Sequence, residues 1–224
     1  PDSNYLIKAK DLAHRIISKM DQDLFIQGEG GREHNNKYGV DLGYNLEMSL
    51  WGLGLYAELT HDNFVKEKVM MSINNHLYFI YPDGMLDNSW GIRSNKWTIY
   101  GGATSDGSIT SFMLYADEYP SFAAAAYRNL LSIKKNIING YLTYGNHYSL
   151  LFDDPPCIYP TFTKAKSIAM GYKFAKDFVI SLEKIPSDIK NWTKHFETLD
   201  LDLIRTKNFM ATISAYGYKD YDKR

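Results

Sequence analysis

The pattern that most constrains this chain is a run of amphipathic helices whose connections alternate between very short and very long. Tyr5, Leu6, Ala9, Leu12, Ala13, Ile16, Ile17 and Met20 recur at three- and four-residue steps, which places them on one helix face. Ser3 or Asn4 is the expected cap. Leu46 to Leu59, Phe64 to Ile80, Ile109 to Ala116, Phe122 to Ile137 and Phe162 to Val179 repeat the pattern. The connections at 60–62 and 117–120 are tight, and tight connections make antiparallel helical hairpins. Those at 21–44, 82–107 and 139–160 are long, and long structureless loops in a compact domain usually carry function. Strict alternation puts all the long loops at one end of the helix array. Asp83-Gly84-Met85-Leu86 and Asn139-Gly140-Tyr141-Leu142 each follow a helix, a weak sign of a repeated two-helix unit.

The period then changes. Leu199, Leu201 and Leu203 alternate with acidic residues, and Phe209, Ala211, Ile213 and Ala215 alternate with Met210, Thr212 and Ser214. With a turn at Lys207-Asn208 this reads as a β-hairpin. The expected division is a helical domain over 1–182, a linker over 183–198 and the start of a β-sheet domain over 199–224. An isolated hairpin is marginal in water, so this one should continue into further strands or dock on others. The chain starts at Pro1 and not at Met, which suggests a processed or excised piece. Three hairpins do not close a ring of helices. Bare apolar faces are therefore expected at both ends of the array, to be covered by another copy or by more chain.

Composition narrows the function classes. No run of about 18 apolar residues exists, so no membrane-spanning helix is expected. A net charge of −1 gives no footprint for nucleic acid. Cys157 is the only cysteine, which rules out an internal disulfide and a cysteine-based zinc site. Asp153-Asp154 precedes two prolines and fits a solvated turn better than a calcium site, so no metal and no cofactor are expected. Aromatic residues make up 15% of the chain, and their flat rings can pack on sugar rings or simply fill a core.

The long loops hold the chemistry. The first, Gln27-Gly28-Glu29-Gly30-Gly31-Arg32, has neither the spacing nor the strand context of a phosphate loop. The second contains Asn88, Trp90, Arg93, Lys96, Trp97 and Tyr100 within a short span. Either its two Trp pin the loop onto the helix ends, or Trp90 and Trp97 wall a cleft. In that cleft Asn88, Arg93 and Lys96 would hold anionic or hydroxyl groups. The third carries Asn146, His147 and Tyr148, and a histidine titrating near neutral pH can serve as a base.

Helical hairpins with long loops at one end, followed by Leu203-Ile204-Arg205-Thr206-Lys207-Asn208-Phe209, resemble the heparinase II/III-like and alginate-lyase-like polysaccharide lyases. Gly43-Tyr44-Asn45-Leu46-Glu47 and Asp87-Asn88-Ser89-Trp90-Gly91 share in that resemblance. It implies an incomplete (α/α) toroid joined to an antiparallel sheet domain, acting on an acidic polysaccharide outside the cytoplasm, in the periplasm or secreted. The implied reaction is β-elimination at a uronate. Asn88 and Arg93 would neutralise the carboxylate, His147 would be the base, and Tyr148 or Tyr100 the acid. Trp90, Trp97, Lys96, Tyr44, Asn45, Glu47 and Asn146 would bind substrate. Two other readings stay open. A glycoside hydrolase would use a carboxylate pair among Asp41, Glu47, Asp87 and Asp106. A non-catalytic glycan-binding module would use Trp90, Trp97 and Tyr100 alone.

Overall fold

A computed structural model describes residues 3–27, 33–34, 37–87, 90, 109–143, 158–174 and 181–215. The array opens with α1 (Ser3–Ile17). A continuous helical rod follows, made of α2 (Leu42–Tyr44), a π-helical turn (Asn45–Leu50) and α3 (Trp51–Thr60). Asp62 caps the next helix, α4 (Asn63–His76), by accepting the Val65 N–H, and a 3₁₀ turn (Leu77–Phe79) extends it. Then come α5 (Ile109–Leu114), α6 (Pro120–Lys135) and α7 (Ile158–Phe174). Pro120 at the first turn of α6 suits its fixed φ. Ala123, Ala124, Ala125 and Ala126 are all buried, so α6 is enclosed on several sides. Small residues also bring neighbours close elsewhere. A Cβ at Gly54 would collide with Leu114 Cδ2 and crowd the Tyr115 hydroxyl, so a side chain there would force the end of α5 to give way.

The repeat read at Asp83-Gly84 and Asn139-Gly140 has a structural basis, and it has a third member. Each long loop begins with a small antiparallel closure. Met20 bridges Ile26, Ile80 bridges Leu86, and strands β3 (Ile137–Ile138) and β4 (Tyr141–Leu142) pair across Asn139-Gly140. The turns need left-handed backbone at Leu24, Gly84, Asn139 and Gly140. Gly84 is fixed twice over: its φ is +90°, and a Cβ there would come 2.2 Å from the Arg128 carbonyl oxygen. A further short ribbon, β1 (Glu33–His34) with β2 (Lys37–Tyr38), lies in the first long loop.

The C-terminal sheet has three strands rather than the expected two. β5 (Trp192–Phe196) pairs antiparallel with β6 (Leu201–Arg205), which pairs with β7 (Met210–Ser214) around the expected turn at Lys207-Asn208. The sheet thus begins inside the stretch read as a linker, and the hairpin finds its partner in β5. The sequence Trp-Thr-Lys-His-Phe gives only a weak strand signal, because its alternation is carried by only two apolar side chains, Trp192 and Phe196.

Sheet and helices share one core. Phe196, fully buried, lies 5.2 Å from the ring of Phe25 and 5.3 Å from Phe79, and Leu199, Leu201 and Leu203 are buried with it. Polar ties reinforce the seam. Asp23 accepts the backbone N–H and hydroxyl of Thr198, and Arg128 pairs with Asp188 at 2.6 Å. At the outer ends of the array, Tyr5, Leu6, Ile7 and Leu12 of α1 and Ile158, Phe162 and Tyr172 of α7 are exposed, as an open array of hairpins requires. Among the described residues no helix is long and apolar enough to cross a membrane.

Candidate functional site at the long-loop rim

The long loops leave from the C-terminal ends of α1, of the α4 extension and of α6. Their roots converge on three consecutive residues of the π-helical turn. Asn45, fully buried, accepts the Ile26 N–H at 2.9 Å and donates to the Ile26 and Asp41 carbonyls at 3.2 and 3.1 Å. It therefore clamps the outgoing and returning legs of the first loop. The carbonyl of Leu46 accepts the Ser111 hydroxyl, which fixes the return of the second loop at the start of α5. Glu47 accepts from Lys164 Nζ at 2.9 Å and from the Ser167 hydroxyl, which fixes the return of the third loop along α7. Lys166 lies farther away, at 3.9 Å. The side chains of Glu47 and Lys164 are 0% and 3% exposed, so this ion pair has been taken out of water.

Asp41 caps α2 through the Tyr44 N–H at 3.0 Å, and the Asn45 amide bonds back to the Asp41 carbonyl four residues earlier. The same carbonyl also accepts the Asn45 backbone N–H at 2.9 Å, and the backbone then widens into the π turn. Interruptions of this kind concentrate at functional sites.

The outgoing leg of the second loop is held as firmly. The Asp87 N–H bonds to the Phe79 carbonyl at 2.8 Å, and its carboxylate accepts the Thr212 hydroxyl from β7. Trp90 is buried against Phe79, ring centroids 5.4 Å apart. In the third loop, the Leu142 N–H bonds to Thr161 Oγ1 of α7 at 2.9 Å, and the Thr143 hydroxyl bonds to the Asn136 carbonyl.

These placements change several sequence-based expectations. Trp90 is packed into the core and does not stand open on a cleft wall, because Phe79 and the sheet aromatics behind it offer its ring a dry surface. Asn45 and Glu47 are buried framework residues holding loop roots, rather than groups presented to substrate. Tyr44 is half-buried beside them. Asp41, Glu47 and Asp87 are all buried and engaged with this chain's own donors, so they do not form an open carboxylate pair of the kind a hydrolase needs. Asn88, Arg93, Lys96, Trp97, Tyr100, Asp106, Asn146, His147 and Tyr148 lie outside the described residues. Lys164 and Ser167 are not among the residues that the sequence singles out. The available signal is a lysine and a serine three residues apart, a spacing that puts both on one face of α7. No cluster of metal-ligating side chains occurs among the described residues.

An open array of helical hairpins, with loop roots pinned on one rim and an antiparallel sheet packed against it, defines a helical-array domain joined to a small β-sheet. A family model for the ulvan lyase N-terminal domain matches residues 1–187, and the chain belongs to that family. It is also 35% identical to the broad-specificity ulvan lyase of Formosa agariphila over 231 aligned residues. That alignment takes in 100% of this chain but 36% of the relative, so the chain spans about a third of the length of that protein. The resemblance to heparinase II/III-like and alginate-lyase-like enzymes thus holds at the level of polysaccharide lyases, with ulvan lyase as the specific family. No solved structure matches the chain.

Proposed function

We propose that this chain supplies the helical domain of a lyase that cleaves a uronic-acid-containing polysaccharide by β-elimination. The observation that carries the reading is the convergence of the loop roots on Asn45-Leu46-Glu47, joined to membership of the ulvan lyase family. Buried polar anchors at each root are what a rim needs if loop side chains are to be held in fixed register around a polymer.

In this reading Arg93 and Asn88 neutralise the uronate carboxylate, which acidifies the adjacent C5 proton. His147 takes that proton, and its electron pair forms the C4–C5 double bond as the C4–oxygen bond breaks. Tyr148 or Tyr100 protonates the departing oxygen. Trp97, Lys96 and Asn146 bind neighbouring sugars. A tyrosine has an ordinary pKa of about 10 and is thus already protonated for the acid's role. The polymer is too large to cross a membrane, so the enzyme works outside the cytoplasm, in the periplasm or secreted.

The test is the ultraviolet absorbance of the unsaturated uronate, followed on a panel of acidic polysaccharides that includes ulvan. Arg93→Ala should abolish the absorbance rise while weakening binding much less, because charge on the carboxylate grows toward the transition state. Polymer shortened with new reducing ends and no absorbance would overturn elimination in favour of hydrolysis. Binding without shortening of any polymer would favour the glycan-binding module.

A further inference from the structure

A cavity of about 810 Å³ lies at the opposite end of the array from the long loops, where α1 faces the tight turn between α3 and α4. Its volume falls in the range of small-ligand sites. Leu6, Lys10 and His14 line it from α1; the four-residue spacing sets them one turn apart on a single face. Leu59, His61 and Asn63 line it from the turn, and His61 is held there in left-handed backbone at φ 56°.

The polar groups are unevenly committed. Asp62 is the one carboxylate in the lining, and it is saturated. It lies 2.7 Å from His14 Nε2 and accepts the Tyr56 hydroxyl at 3.1 Å and the Val65 N–H at 3.2 Å. Burial alone would raise its pKa, but these donors together hold it below the ordinary value. His14 is further steadied by stacking on Phe64, centroids 5.4 Å apart. By contrast, the side chains of Lys10, His61 and Asn63 have no partner among the described residues. The cavity therefore holds uncommitted donors beside exposed apolar side chains, with Leu59 80% exposed.

We propose that this cavity is a second, non-catalytic site for a carboxylate-bearing sugar unit of an acidic glycan. Lys10 and His61 bind the carboxylate and Asn63 a hydroxyl, while Leu6 and Leu59 lie against the C–H face of the ring. Such a site would keep a long polymer on the protein between cleavages at the rim. The inference rests on the acidic-polysaccharide reading above for the identity of the polymer.

The test is amide chemical-shift mapping on the full chain, titrated with uronate-containing oligosaccharides cut from ulvan, with the carboxyl-reduced oligosaccharides as control. Saturable shifts are expected at residues 6–14 and 59–64, absent with the control and retained in Arg93→Ala. In the double variant Lys10→Gln/His61→Asn, affinity at this site should fall about tenfold or more, since two charge-assisted contacts are lost. Both substituted side chains are uncommitted, and Asn tolerates the left-handed backbone at 61. Binding that shifts only residues elsewhere, or unchanged affinity in the double variant, overturns this inference and leaves the rim reading standing. No binding of any oligosaccharide overturns both. Shifts at 6–14 that appear with protein concentration alone, and vanish in Leu59→Asp, would make the face a contact between copies and overturn the sugar site.

Discussion

Replacing Lys164 by Met tests the claim that the π-helical turn is the hub of the rim. Lys164 Nζ and Glu47 Oε2 stand 2.9 Å apart, with both side chains essentially out of water. At an effective dielectric of about 20, the Coulomb attraction at that distance is about 6 kcal/mol. Removing two ions from water costs several kcal/mol each, so the pair as a whole contributes little net stability. Removing one partner is another matter. Glu47 would keep the Ser167 hydroxyl and the distant Lys166, but its carboxylate would stay dehydrated beside an apolar thioether. Breaking buried pairs in this way costs about 3–5 kcal/mol. Urea unfolding followed by far-ultraviolet circular dichroism reads this as a lower midpoint at unchanged slope. The double variant Glu47→Gln/Lys164→Met should recover most of the loss, because the buried negative charge is removed together with its main cationic partner. If the lyase reading proposed above holds, it should still release unsaturated product more slowly than the parent, since the root of the third loop is no longer tied to the turn. A Lys164→Met loss below about 1 kcal/mol, the range of exposed pairs, would refute the buried-clamp argument. A double variant as unstable as the sum of the single changes would refute it equally.

Two further outcomes follow from the core. His76 is fully buried against Phe25, its Nδ1 bonded to the Ser72 carbonyl, and burial pushes its pKa down from 6.5 to about 4. The folded state thus favours the neutral ring: this stability is fully present above pH 6.5 and is lost as pH falls from 6.5 toward 4, by at most about 3 kcal/mol. Urea midpoints across that window should fall in the parent and fall less in His76→Gln; parallel curves would contradict the assignment. Phe196→Ala removes the ring that seats the sheet between Phe25 and Phe79 and should cost about 3–5 kcal/mol in the same urea assay. A cost under about 1 kcal/mol would mean that the sheet folds apart from the helices.

Much of the architecture was legible from residue order. Apolar residues at three- and four-residue steps specify helices whatever surrounds them. The alternation of tight and long connections then forces the long loops to one end. Gly84 and Asn139-Gly140 announced their turns because few other residues accept that backbone. The period-two stretch after Leu199 gave the hairpin and its turn at Lys207-Asn208. Only the tertiary structure decided what the polar residues of these segments do. Asn45 and Glu47 look like ligand-binding residues in sequence, because amide and carboxylate chemistry is the same for a sugar hydroxyl as for the Ile26 backbone or Lys164. Their roles were set by partners 19 and 117 positions away, a separation that no local pattern encodes. Trp90 was open to either a cleft or a core until Phe79 and Phe196 came together across the chain. β5 escaped notice because its pairing energy lies in hydrogen bonds to β6, which its own weak apolar pattern does not announce. The cavity beside Lys10 and His61 exists only where α1 meets the α3–α4 turn. Periodicity fixes which face a residue occupies, and the packing of distant segments fixes what that face meets.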